Sequence, residues 1–201
     1  MIKSSTKAQY AILVGVVLFL TILAVLLALM GDFFKTTDDT NWKAACKASV
    51  QGHIYQKTPI VCPLQYKNLT EEKNIEEELV RMMKTCWEIY GEGDLDLFNP
   101  LARKYCAICY VVDVGDQEVD LEEYLQTRRI PRTKTYYSDY FKNAITYSDF
   151  NTLRNRIGIL YTEEVTNPLE DPSFSHALRV VPYNPDTLIN LGCDVVDVQQ
   201  H

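Results

Sequence analysis

YCAICYVVDV, Tyr105 to Val114, is rich in β-branched and aromatic residues and is stopped by Gly115. That composition predicts a strand, and a central one. Side chains on a strand alternate, so Cys106 and Cys109, an odd offset apart, point to opposite faces and require different partners.

The best helix precedes this strand, over Glu71 to Tyr90. Ile75, Leu79, Met82, Cys86 and Ile89 fall at spacings of four and three and build one apolar stripe, widened by Val80, Met83, Trp87 and Tyr90. Asn68, with Glu71 three residues on, suits an N-terminal capping box, and Gly91 suits the left-handed residue that ends the helix. Asn68-Leu69-Thr70 is also the chain's only Asn-x-Ser/Thr sequon, which makes Asn68 a glycosylation candidate if the domain is exported.

Upstream, Ala44–Val50 and Thr58–Cys62 are strand candidates around a loop that holds His53. A hairpin with Val50 opposite Thr58 would set Cys46 opposite Cys62. Downstream come a short helix near Val119–Gln126 and a basic segment from Arg128 to Lys134. An aromatic stretch follows, in which Tyr137, Tyr140, Phe141 and Ala144 share a helical face. Arg156–Val165 and Ala177–Val181 are further strand candidates, and Asp186 is placed to cap a turn running to Leu191. The expected fold is therefore α+β: a single disulfide-stabilised domain over residues 44–201, with a mainly antiparallel sheet of about five strands packed on a long helix.

Ala11 to Met30 holds twenty residues without a charge, enough helix to cross a hydrocarbon core of about 30 Å. This predicts a leader over 1–10, a transmembrane helix over 11–30 with lipid as its partner, and a juxtamembrane connector over 31–43. Of the 20 basic residues only Lys3 and Lys7 precede the run, while all 27 acidic residues follow it. The positive flank predicts a cytoplasmic N-terminus and an outer C-terminal domain, and the acidic balance argues against nucleic acid as a partner.

All six cysteines, Cys46, Cys62, Cys86, Cys106, Cys109 and Cys193, lie in that outer part, and an even number in an exported domain predicts disulfides. Spacing favours only the pair Cys46 and Cys62; Cys86 and Cys193 remain as partners for Cys106 and Cys109. A redox C-x-x-C belongs at a helix start, whereas this one sits in a strand. Zinc through Cys62, Cys86, Cys106 and Cys109 lacks the second Cys of a knuckle. Glu92, Asp94 and Asp96 lack the ligand spacing of an EF-hand. The chain has no G-x-S-x-G, H-E-x-x-H or phosphate-binding glycine loop, and no cofactor is expected.

Lys7-Ala8-Gln9 ahead of the apolar run resembles the archaeal type IV prepilin signal, which implies processing between Ala8 and Gln9. Leu13 stands where pilins carry a glutamate. Further on, CWEIYGEGDLDLF, YCAICYVV, RRIPRTKTYYSDYF and VPYNPDTLINLGCDVV are together similar to uncharacterised single-pass proteins of archaea, a resemblance that implies an extracytoplasmic domain on an N-terminal anchor and no particular activity. The functional expectation is a membrane-anchored cell-surface domain that binds an unknown protein or surface partner, or that serves envelope structure. A pilin-like subunit is the first alternative, and an exported enzyme with a carboxylate site is the second.

Overall fold

The computed structural model describes Val16 and residues 18–21, 40–97, 104–142, 144–145, 155–166, 173–193 and 195–197. The chain divides into two compact units, residues 1–42 and 43–201. In the first, Val16 and residues 18–21 are helical, and the remainder of the expected transmembrane run, with the leader, lies outside the described residues. The described residues correct that expectation: no helix among them is long and apolar enough to cross a membrane.

A helix, α1, spans residues 40–56. It replaces the first half of the expected hairpin. Ala44, Ala45 and Ala48 favour helix intrinsically, and Cys46 and Val50, each 1% exposed, are four residues apart on its buried side. Lys57, with φ of 55°, turns the chain back, and residues 57–62 return beside the helix without forming a strand. Val61 N donates to Ser49 Oγ at 2.7 Å, and Cys46 is bonded to Cys62 with a Cα–Cα distance of 4.8 Å. Nearly three helical turns and a reversal thus bring together the same two cysteines that a hairpin would have paired.

β1 (Gln65–Asn68) leads to α2 (Ile75–Ile89). Asn68 ends the strand instead of capping the helix, which begins only after Asn74. The apolar stripe of α2 is buried throughout: Ile75, Leu79, Met82, Cys86 and Ile89 are each at most 3% exposed. Beyond its C-cap Tyr90, residues 91, 92 and 93 all have positive φ (82°, 58° and 82°), and Glu92 N donates to Trp87 O at 2.9 Å, the six-to-one bond of a Schellman ending. A side chain on Gly91 would meet Leu95 Cδ1 at 2.2 Å, so glycine is required there on two counts.

β2 (Lys104–Gly115) is central, as its composition predicts. It runs antiparallel to β3 (Asn155–Thr166), which runs antiparallel to β4 (Ser173–Pro182). On its other side β2 pairs in parallel with two short strands, β1 and β5 (Val195–Asp197). The sheet is therefore mixed: its two long pairings are antiparallel, as expected, and its two short ones are parallel. Among the described residues three further short helices follow: α3 (Leu121–Thr127), α4 (Tyr137–Phe141) and α5 (Pro185–Asn190). Asn184 caps α5 through Thr187 N, the role expected of Asp186.

A bulge at Cys109 breaks the β2–β3 register between Ile108 and Tyr110. Cys109 is bonded to Cys86 of α2, while Cys106 is bonded to Cys193, which lies between α5 and β5. On the face toward α2, Tyr161 stacks on Tyr90 with ring centroids 4.7 Å apart and planes 10° apart, and Trp87 lies 6.0 Å away. Ile108, Val111, Leu160 and Val181 form a separate buried cluster, against which Leu64, Tyr183 and Leu191 pack.

Candidate functional site

Two arrangements of polar groups stand out, one on the surface and one inside. The surface one is an open cleft of about 280 Å³ beside β1, lined by Tyr66, Asn68, Val111, Asp113 and Arg156 among others. Tyr66 lies opposite Val111 and Asn68 opposite Asp113 in the parallel ladder. Being two residues apart on one strand, Tyr66 and Asn68 share a face. Tyr66 is 69% exposed, far more than its aromatic neighbours in the core. Across the cleft Arg156 Nε stands 3.9 Å from Asp113 Oδ2, both side chains in water, so the pair offers a donor and an acceptor side by side and adds little stability.

Asn68 Oδ1 accepts from Thr70 N at 3.0 Å and from Thr70 Oγ1 at 2.8 Å. Thr70 is itself placed by the end of β2: Leu69 N donates to Asp113 O, Gln117 Nε2 donates to Thr70 O at 2.8 Å, and the Thr70 methyl sits where a side chain on Gly115 would be, 3.3 Å from an added Cβ. The sequon is thus a fixed turn on an exposed rim.

The interior arrangement centres on Glu163, 1% exposed, and His176, its partner across the β3–β4 ladder. Glu163 Oε2 accepts from Leu97 N at 3.1 Å. His176 Nδ1 lies 2.9 Å from Gly93 O; a carbonyl only accepts, so Nδ1 carries the proton. Its Nε2 faces Asp96 Oδ1 at 3.5 Å and Glu163 Oε2 at 4.0 Å. The acidic turn 91–97 is thereby pinned to the sheet, and His53 of α1 holds its far end through Nε2 to Leu97 O at 2.8 Å. Burial lowers the His176 pKa, outweighing the attraction of Asp96 and Asp94.

That shift has a sign for stability. The unfolded chain takes up a proton near pH 6.5, the folded chain only at lower pH, so the native state loses stability as pH falls through this window and has its full stability above it. Denaturant titrations at about pH 7.5 and about pH 5 should show His176→Gln losing less stability between them than the wild type does. Equal losses would show that another group carries the acid sensitivity.

A second opening, of about 320 Å³, includes Lys47, Gln51, Glu88, Glu92 and Asp94 in its wall. Glu88 accepts from both Lys43 and Lys84; burial alone would raise its pKa, and the two lysines hold it below the ordinary range. It is an ion-paired anchor between α1 and α2, unlike the protonated acid that a hydrolytic carboxylate pair needs.

The six cysteines are gathered into three disulfides and none is free. Among the described residues no three His, Cys, Asp or Glu side chains converge as metal ligands. In the basic segment, Arg129 pairs with Tyr136 and lays its guanidinium 4.8 Å from that ring. Ala8 and Gln9 lie outside the described residues. The groups missed in sequence were Glu163 and His176, and a signal for both existed. In a strand, Glu163 has the parity of Ile157, Ile159 and Tyr161, and His176 that of Leu178 and Val180.

No protein-family model, curated protein or solved structure matches the chain.

Proposed function

We propose that this chain is exported and that its α+β domain works outside the cytoplasm, at the cell surface, as a binding or envelope-structural module. The observation that carries the reading is the complete pairing of six cysteines into disulfides spanning 16, 23 and 87 residues. Cytosolic thiols are kept reduced, so a domain stapled in this way belongs in an oxidising compartment. The net charge of −7 suits a solvated surface. A binding role is favoured over a catalytic one because the interior acid and base, Glu163 and His176, are 1% and 8% exposed and pin a turn, out of reach of a substrate. Thiol counting on protein denatured without reductant tests the proposal. No reactive thiol is expected before reduction and six after it; several free thiols before reduction would overturn it.

A further inference from the structure

We propose that Asn68 carries an N-linked glycan whose first sugar rests on the ring of Tyr66, within the cleft beside β1. The inference rests on the export reading, since lipid-linked oligosaccharides are transferred outside the cytosol. Three observations carry it together. Asn68 is exposed and belongs to the chain's single sequon. Tyr66, two residues earlier on the same face, is 69% exposed and offers an aromatic platform to the apolar face of a sugar. The cleft that both residues line, about 280 Å³ and open to solvent, has room for a single ring, and Arg156 and Asp113 on its far side supply a donor and an acceptor to hydroxyl groups.

The chemistry balances with a polyprenyl-phosphate-linked oligosaccharide as donor. The bond from the sugar's C1 to the phosphate oxygen breaks, and the lipid phosphate leaves with the electron pair. C1 bonds to Asn68 Nδ2, which gives up one proton. The product amide keeps its carbonyl, so the two hydrogen bonds from Thr70 to Oδ1 survive the modification.

The test uses the full chain, purified from cells that export and glycosylate it, with peptide mass spectrometry at Asn68 beside the thiol count. Occupancy is expected in the wild type, in Thr70→Ser and in Tyr66→Ala, and should be lost in Asn68→Gln and Thr70→Ala. Enzymatic removal of the glycan should lower the wild-type melting temperature by about 2 to 4 °C, the scale of a modest surface contact in a domain of this size, and should leave Tyr66→Ala unchanged. An equal drop in Tyr66→Ala would overturn the seat on Tyr66. An unmodified Asn68 in protein with every cysteine paired would overturn the site and leave export standing; an unmodified Asn68 with free thiols would overturn both.

Discussion

Replacing Cys106 and Cys193 together by alanine should lower the unfolding free energy by about 4 to 5 kcal/mol, the largest loss expected from any of the three bridges. The crosslink spans 87 residues, against 16 for Cys46–Cys62 and 23 for Cys86–Cys109. The chain-entropy estimate grows with the logarithm of loop length, from about 3 kcal/mol for the shortest of these loops to about 4.6 for the longest. The bridge also fastens the chain between α5 and β5 to the first residues of β2, where β5 contributes only three paired residues of its own. Thermal unfolding of the double variant should come roughly 10 to 20 °C below the wild type. Cys46→Ala/Cys62→Ala is the internal control. If it costs as much as or more than the long bridge, native-state packing and not loop closure governs these crosslinks.

Tyr161→Ala is the second large effect, with an expected cost of about 3 to 5 kcal/mol. Tyr161 is fully buried at the centre of β3, and its ring is the surface on which α2 lies, stacked on Tyr90 and flanked by Trp87 and His176. Truncation removes the ring from three neighbours at once and leaves a void that two rigid aromatic side chains fill poorly. Tyr161→Phe keeps the stack and should retain most of the stability. Equilibrium denaturation compares the three proteins, and a loss below about 1 kcal/mol for Tyr161→Ala would mean that α2 does not depend on this contact.

The parts of the fold legible in the sequence are those whose pattern has one interpretation. YCAICYVV has too many β-branched and aromatic residues for anything but a buried strand, and the stripe from Ile75 to Ile89 has the helical period over four turns. The odd offset of Cys106 and Cys109 correctly separates their partners, because the bulge at Cys109 leaves them on opposite faces. Residues 44–50 were ambiguous: their alanines favour helix, while the valine and the cysteine spacing also fit a hairpin, and tertiary packing decided for helix. The direction of the two short strands was not legible. Four residues of β1 and three of β5 carry no mark of parallel pairing, which depends on where the intervening chain crosses. Glu163 escaped notice for a different reason: a carboxylate next to Glu164 looks like solvent-facing charge until the strand's parity is applied.

The two short strands share one side of β2. β5 takes residues 105–107 and β1 takes 110–113, which leaves the bulged stretch at Ile108 and Cys109 between them. That border of the sheet therefore presents two separate ladders of three and four residues, each shorter than an ordinary strand of about five to six, with an irregular backbone step where they meet. An incoming strand from another molecule finds no continuous row of amides to extend. At high protein concentration, this interrupted border disfavours strand addition on the β1 and β5 side of the sheet.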